Sequence, residues 1–266
     1  RPAAAVAVVT CAPRGPARGA LPSRRLPMSE RTGVTIGVLA LQGAFHEHIA
    51  RFASLSASAS HVSVRSIAVR RPEQLAQCDA LVIPGGESTA IALGLHNAGL
   101  TEPLRTWIRE GRPVWGTCAG MIMLANTATG GKRGGQELLG GLHIQVGRNG
   151  FGSQVNSFEC DVQCPAIGDT PFPGVFIRAP VVEALGGGGA AAAAPVSHSP
   201  DDMHGLFPGT PVEPIAWLPP ASDTAADPSR VVAVRQGRLL ATSFHPELTT
   251  DTRLHNYFVQ MVVGAA

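Results

Sequence analysis

Short apolar runs alternate with segments of helical periodicity through the first half of the chain. Runs of four to eight apolar residues are typical of buried strands, whereas apolar residues three or four positions apart are typical of helices. The predicted strands are 34–41, 62–69, 80–83 and 113–115, and the predicted helices are 44–55, 72–77 and 90–110, the last with a break near Gly99 and Pro103. Such alternation predicts an α/β fold whose mostly parallel central sheet is flanked by helices on both faces.

In the second half of the chain, the pattern of the predicted strands is more typical of antiparallel pairing. Residues 142–146, 157–162 and 174–177 are strand-like, and 231–235 and 239–244 are predicted to form a hairpin before a closing helix over 252–263. Together they predict an antiparallel extension of the sheet.

The domain organisation follows from composition. Residues 34–263 are predicted to form one domain with a flexible insertion at about 186–214, where a Gly/Ala tract is followed by Pro and Asp residues. Residues 1–33 are expected to be a disordered or artefactual N-terminal extension, because they are rich in Ala, Pro and Arg.

Charge and apolar content exclude several partners. The net charge of +2 depends on five arginines within residues 1–27, without which 16 basic residues face 19 acidic ones, a net charge of −3. No basic stripe remains to bind nucleic acid, and no apolar run approaches the roughly 20 residues of a membrane span. Five scattered cysteines are unlike a secreted disulfide framework. We therefore expect a cytoplasmic protein; organelle targeting by residues 1–27 is the less favoured alternative.

One cysteine stands in a frame of small residues, Gly116-Thr117-Cys118-Ala119-Gly120, between a predicted strand and a predicted helix. Glycines on both sides allow the sharp turn of a nucleophile elbow, so Cys118 is a candidate nucleophile for acyl transfer. The pentapeptide alone fits a small buried cysteine equally well.

A candidate base stands far downstream, in His245-Pro246-Glu247 at the end of the last predicted strand. Proline should keep this segment extended, which would place His245 and Glu247 on one face. His245 could then take the thiol proton while Glu247 orients the imidazole.

A glycine pair in residues 84–89 follows a buried strand and precedes the long helix. Its backbone N–H groups could form an oxyanion hole together with the N–H of Ala119. The alternative is an ordinary helix start capped by Ser88 or Thr89. Cys160 and Cys164 lie four apart without a histidine pair, so we expect no metal site.

Six segments carry a resemblance to one family: 37–43, 84–89, 116–120, 148–152, 174–180 and 243–248. In these segments the chain resembles the class I, or triad, glutamine amidotransferases. Within that class it is similar to the glutaminase subunits of pyridoxal 5'-phosphate synthase, in particular the plant-like eukaryotic ones. The resemblance covers residues 34–263 apart from the insertion, and it implies a flavodoxin-like class I amidotransferase fold.

For the reaction, the resemblance implies hydrolysis of L-glutamine to L-glutamate and ammonia through a thioester on Cys118, with His245 as base and Glu247 as its partner. It implies no cofactor. The ammonia would pass to a synthase subunit, a (β/α) barrel in a hetero-oligomer, for vitamin B6 biosynthesis.

For the binding residues, the resemblance implies roles that the sequence pattern alone does not supply. Gly86 N–H would lie in the oxyanion hole, and Gln42 would belong to a loop coupled to the partner. The residues implied to contact the substrate or border its pocket are Gly86, Glu87, Ser88, Arg148, Ile177 and Arg178.

Three alternatives remain open at this point. The chain could be a glutaminase for another acceptor pathway, such as histidine or purine synthesis, or a catalytically silent regulatory scaffold of the same fold. It could also be a cysteine hydrolase of the flavodoxin-like, peptidase-related group. His46 and His48, on the first predicted helix, are expected to be solvated.

Overall fold

The computed structural model describes residues 33–56, 62–131, 135–148, 157–186, 197–219 and 230–264. The predicted N-terminal extension, apart from Gly33, and residues 187–196 of the predicted insertion lie outside these ranges, as do residues 149–152 of the fourth segment of resemblance. The elements up to the elbow are β1 (Gly33–Leu39), α1 (Phe45–Ser56), β2 (Ser63–Val69), α2 (Pro72–Leu75), β3 (Ala80–Ile83), α3 (Ser88–Asn97), α4 (Thr101–Arg109), β4 (Val114–Thr117) and α5 (Ala119–Leu124).

The remaining described elements contain more strand than helix. They are β5 (Ala125–Thr129), β6 (Leu142–Gly147), β7 (Ser157–Val162), β8 (Phe172–Ile177), β9 (Val181–Leu185), β10 (Ser197–His198), α6 (Asp201–His204), β11 (Glu213–Trp217), β12 (Val231–Gln236), β13 (Leu239–Thr242) and α7 (Arg253–Val263). The long helix predicted over 90–110 is divided into α3 and α4, as the glycine and proline indicated.

A seven-stranded sheet in the order β11-β12-β13-β4-β3-β1-β2 forms the centre of the molecule. The five strands from β13 to β2 pair in parallel, whereas β12 pairs antiparallel with both β13 and β11. The mostly parallel sheet and its antiparallel extension are thereby confirmed.

Helices cover both faces of this sheet, as predicted. On one face, Phe52 of α1 and Phe258 of α7 pack with Val38, Val82 and Trp115. The other face is covered by α3, α4 and α5, whose buried apolar side chains join Leu81 and Val114 in a second cluster. Because parallel strands are buried on both sides, their residues are apolar almost without interruption.

A second sheet, in the order β10-β5-β6-β9, and the β7-β8 hairpin lie outside the central sheet. Strand β5, which the sequence did not predict, begins directly after α5. This strand was missed because residues 125–129, Ala-Asn-Thr-Ala-Thr, show no apolar run, although most of them are buried against β6 and β10.

The described end of the predicted insertion, residues 197–214, is built into the fold. Strand β10 pairs with β5, Met203 of α6 is fully buried, and Arg109 Nη1 lies 2.8 Å from Asp202 Oδ2. Residues 197–214 thus contain defined elements and a buried methionine, which the Pro- and Asp-containing composition did not indicate. Within the described ranges, no helix has the length and apolar character needed to cross a membrane.

Close packing fixes the turn between β4 and α5. A Cβ atom on Gly120 would lie 2.1 Å from the carbonyl oxygen of Ile83 on the neighbouring strand, so only glycine fits there. The elbow can thus sit directly against β3.

We predict that Gly120→Ala destabilises the fold by about 1–3 kcal/mol, because the added methyl group meets backbone atoms that cannot rotate away. Urea unfolding measures the change. Gly205→Ala is the matched control, since a Cβ there meets nothing within 4 Å. Equal stability of the two variants would contradict the packing argument.

Candidate active site

Four parallel strands end at one edge of the central sheet, and the segments after them form the candidate site. Thr242 of β13 is aligned with Thr117 of β4, and Ile83 of β3 is aligned with Gly116. Strand β1 lies next to β3 in the same direction. Ligand sites of open α/β sheets lie beyond such carboxyl ends. The register therefore brings together segments that are far apart in sequence.

Cys118 occupies the bend between β4 and α5. Its φ angle is 48°, which is uncommon for a residue with a side chain and matches the predicted elbow. Its N–H donates to Thr242 O at 2.8 Å, which fastens the bend to β13. Its Sγ lies 3.9 Å from Ile177 O, and the residue is 5% exposed. The sulfur is thus held at the floor of an opening.

His245 and Glu247 come together, but not through the extended backbone that the sequence predicted. Residues Pro246–Leu248 form a turn of 3-10 helix, which proline favours at its first position because it lacks an N–H to satisfy. Within the turn, His245 Nδ1 lies 2.8 Å from Glu247 Oε1. The His245 N–H donates to Val175 O at 2.8 Å, so β8 also fixes the segment.

The charges of this pair depend on its neighbours. Burial disfavours the imidazolium, yet hydrogen bonds to Cys118 and Glu247 raise the pKa of His245 to about 10. Burial likewise opposes charge on Glu247, but His48 and His245 lower the pKa of its carboxyl group below the usual value. At neutral pH, Glu247 is ionised and His245 carries a proton that it can donate.

The approach of His245 to the cysteine requires a glycine from a third strand end. A Cβ atom on Gly85 would lie 2.2 Å from His245 Cε1 and 3.2 Å from the Cβ of Cys118. The first glycine of the predicted loop thus leaves room for the imidazole, a role that sequence reasoning did not assign.

An open cavity of about 370 Å³ lies over Cys118 and His245. All eight other residues that the sequence or the resemblance assigned to substrate, oxyanion hole or partner coupling line it: Gln42, Gly86, Glu87, Ser88, Ala119, Arg148, Ile177 and Arg178. The other described residues of the lining are Thr89, Ile122, Gly130 and Gly131. Glu247 lies behind His245, fully buried and outside the lining.

Glu87 caps helix α3. Its carboxylate accepts the N–H groups of Thr89 at 3.0 Å and Ala90 at 2.6 Å, so neither Ser88 nor Thr89 is the cap. Burial opposes ionisation, but these bonds and the charge of Arg148 lower the pKa of Glu87. An anion and a cation therefore face the same cavity.

Gln42 connects the end of β1 to the segment 84–89, which contains the glycine pair. Its Oε1 accepts the Glu87 N–H at 2.9 Å, and the N–H of Ala44 donates to Gly85 O at 3.1 Å. The segment after β1 thus holds the backbone on both sides of Gly86.

Two neighbours of the site residues, Gln136 and His48, were not predicted from the sequence. The Oε1 of Gln136 accepts hydrogen bonds from Ser88 and Thr89 at 3.1 and 3.3 Å. His48 was expected to be solvated, which is wrong, since it is completely buried behind Glu247. Its position three residues after Phe45 and four before Phe52 placed it on the apolar face of α1 and could have indicated this. His46 is exposed, as expected.

Glu247→Gln should lower the pKa of His245 from about 10, because an amide does not supply the negative charge that stabilises the imidazolium. Because the pKa of His245 is raised from 6.5 to about 10 on folding, protonation of this ring stabilises the folded chain. This stabilisation is fully present below pH 6.5 and is lost as the pH rises through about 10. The variant should therefore lose less stability between these two values. Imidazole nitrogen chemical shifts measure the pKa of His245, and urea unfolding measures the pH dependence of stability.

The control is Glu102→Gln, which changes an exposed carboxylate. An unchanged His245 titration in Glu247→Gln would refute the pairing of His245 with Glu247.

Comparison with known proteins gives matches along almost the whole described region. Residues 38–194 and 196–264 match the SNO glutamine amidotransferase family. A probable pyridoxal 5'-phosphate synthase subunit PDX2 of Arabidopsis thaliana is 43% identical over 248 residues, which cover 86% of each chain. The pyridoxal 5'-phosphate synthase subunit PdxT of Chloroflexus aggregans is 44% identical, over 86% of this chain and 100% of that protein.

A solved structure extends the similarity to three dimensions. The crystal structure of a glutamine amidotransferase superposes with a TM-score of 0.65 at 39% identity, covering 85% of this chain and 98% of that one. Sequence, topology and the matched family agree on one assignment. The chain belongs to the SNO glutamine amidotransferase family and is a glutamine amidotransferase enzyme.

Proposed function

We propose that the chain hydrolyses L-glutamine to L-glutamate and ammonia with Cys118, His245 and Glu247 as its catalytic triad, and that residues 34–263 form this glutaminase domain. The observation that carries the proposal is the position of His245. It is hydrogen-bonded to Glu247 at 2.8 Å and stands beside Cys118 at the floor of a cavity of about 370 Å³.

The first half of the reaction forms an acyl-enzyme. Cys118 Sγ attacks the side-chain carbonyl carbon of glutamine, and its proton resides on His245. The imidazolium then gives that proton to the departing nitrogen as the C–N bond breaks, which releases ammonia and leaves a γ-glutamyl thioester. Glu247 stabilises the imidazolium and keeps its Nε2 directed at the reacting atoms.

The second half regenerates the enzyme. Neutral His245 takes a proton from water, whose oxygen attacks the thioester carbon, and returns the proton to sulfur as glutamate leaves. Each half passes through an oxyanion, which we assign to the backbone N–H groups of Gly86 and Ala119. Both residues line the cavity beside Cys118.

Selection of a free amino acid follows from the opposite charges in the cavity. We assign the substrate carboxylate to the guanidinium of Arg148 and the substrate ammonium to the carboxylate of Glu87. Ser88, Ile177 and Arg178 complete the pocket around the side chain that is to be cleaved.

The ammonia is proposed to pass to a partner that makes pyridoxal 5'-phosphate, vitamin B6. This rests on relatives named as pyridoxal 5'-phosphate synthase subunits at 43% and 44% identity. We propose that the partner is a (β/α) barrel synthase subunit, assembled with this chain in a cytoplasmic hetero-oligomer. Gln42 bonds the loop that carries Gly86, so we propose that docking acts on the oxyanion hole through it.

Cys118→Ala should lower the glutaminase kcat by at least about 10³-fold, because no thioester can form. Ammonia release from glutamine, measured with the synthase subunit present, is the test, and retained binding to that subunit shows that the fold is intact. Cys160→Ala, at a half-buried cysteine of β7, should retain activity. Full activity of Cys118→Ala would rule out the mechanism.

The partner proposal predicts that a pyridoxal 5'-phosphate synthase barrel stimulates glutamine hydrolysis, because docking completes the oxyanion hole. Ammonia release is measured with this barrel and, as controls, with synthases of histidine or purine biosynthesis. Stimulation only by one of the controls would assign the chain to another acceptor pathway, and no thioester or ammonia with any partner would indicate a silent scaffold.

Arg148→Ala should raise KM for glutamine by about tenfold or more and leave kcat less affected, since a charged hydrogen bond to the substrate carboxylate is lost. Steady-state kinetics separate the two parameters. Arg109→Ala, which removes a cation paired with Asp202 outside the cavity, is the control. An unchanged KM in Arg148→Ala would reject its assignment.

A further inference from the structure

Two buried histidines lie behind the proposed triad and take no part in the mechanism above. His48 of α1 and His255 of α7 have no exposed surface. His48 Nδ1 lies 3.0 Å from His255 Nε2, and its Nε2 lies 3.3 Å from both Glu247 Oε2 and Thr117 Oγ1. The ring of His48 therefore bridges α7 to the carboxylate that holds the catalytic imidazole.

The carboxylate of Glu247 depends on its contact with His48. Glu247 is fully buried, and while Oε1 faces His245, Oε2 makes no well-aligned hydrogen bond with any described residue. The Nε2 of His48 lies 3.3 Å from Oε2. A buried carboxylate oxygen without a donor carries a heavy desolvation cost, so the position of Oε2 depends on what His48 presents to it.

The protonation of both histidines follows from their surroundings. Burial lowers the pKa of His48 to about 3 despite the charge of Glu247, and burial together with Arg51 lowers that of His255 to about 3. Each ring is therefore neutral at neutral pH and carries one N–H. Among the described residues, the other titratable groups that act on the pKa of these two histidines are His245 and Arg51, whose Nε donates to Glu247 O at 3.2 Å.

One assignment of protons satisfies the contacts. If His255 donates its Nε2–H to His48 Nδ1, then His48 must carry its own proton on Nε2, where it is shared between Thr117 Oγ1 and Glu247 Oε2. His255 Nδ1 is then an unprotonated nitrogen, which agrees with its having no hydrogen-bond partner among the described residues. Unpaired buried acceptors are less unusual than unpaired donors.

Resting on the proposed triad, we infer that His48 is a positioning residue, which His255 locks in the Nε2–H form so that it holds Glu247 ionised and aimed at His245. His48 does not line the glutamine cavity. It acts on the reaction only through Glu247.

A matched pair of variants isolates this donor. The amide of His48→Gln reaches the place of Nε2, whereas that of His48→Asn reaches only the place of Nδ1. In His48→Asn, kcat should fall about tenfold and the acid limb of kcat/KM should move up by about one pH unit, because Glu247 is protonated more easily. KM for glutamine should change by less than about twofold, and His48→Gln should recover much of the loss.

A purely structural role for His48 makes a different prediction. Both variants would then lose activity in step with thermal stability, and the acid limb would stay in place; that result, or an unchanged His48→Asn, overturns the inference. His48→Leu, apolar and of similar volume, replaces His48→Asn should the latter not fold.

A second readout does not require glutaminase activity. In the isolated chain, the His245 ring nitrogens report the protonation of Glu247 during an acid titration by NMR, and the midpoint should rise in His48→Asn. His46→Asn is the control on the exposed face of α1. If the natural chain released no ammonia, the proposed function would fail, while this titration would still support or refute the role of His48.

Discussion

The parallel pairing of β13 with β4 is the constraint on which the site depends. Its register places Thr242 beside Thr117, so the next residues of both strands emerge together at the carboxyl edge. The proposed nucleophile and the proposed base are separated by more than a hundred residues in sequence, yet the Cys118 N–H donates to the last residue of β13. A register shift by one residue would turn alternate side chains to the opposite face and separate the pair.

The site also requires a charge to exist inside the protein. Glu247 is completely buried, and removing a carboxylate from water is unfavourable unless donors and opposite charge replace the solvent. His245, from the same turn, and His48, from helix α1, lie against this carboxylate, and Arg51 of α1 donates to the backbone carbonyl of Glu247. The packing of α1 against the sheet is therefore part of the electrostatics of the reaction, and not only of the apolar core.

Sequence reasoning predicted the central sheet well, because buried parallel strands are apolar runs bounded by turn residues, as in 80–83. It also selected Cys118, His245 and Glu247 as candidates, since their residue types limit the possible chemistry, and the structure brings these three residues together. It missed β5 and β10, which form by pairing with strands distant in sequence and have no apolar run to indicate them. It also misjudged the backbone at Pro246, because proline is compatible with both extended and 3-10 conformations.

The histidines show which property of the site the sequence alone could not predict, namely their protonation. The spacing of His48 on α1 indicates burial, but the sequence does not show which histidine keeps a proton at neutral pH, because that also depends on which neighbour is charged. Burial is the main cause that lowers the pKa of His48 and of His255 to about 3, and the charge of Arg51 adds to it at His255. At His245 the contacts with Cys118 and Glu247 outweigh burial and raise the pKa to about 10, so the imidazole beside the sulfur is the one that keeps its charge at neutral pH.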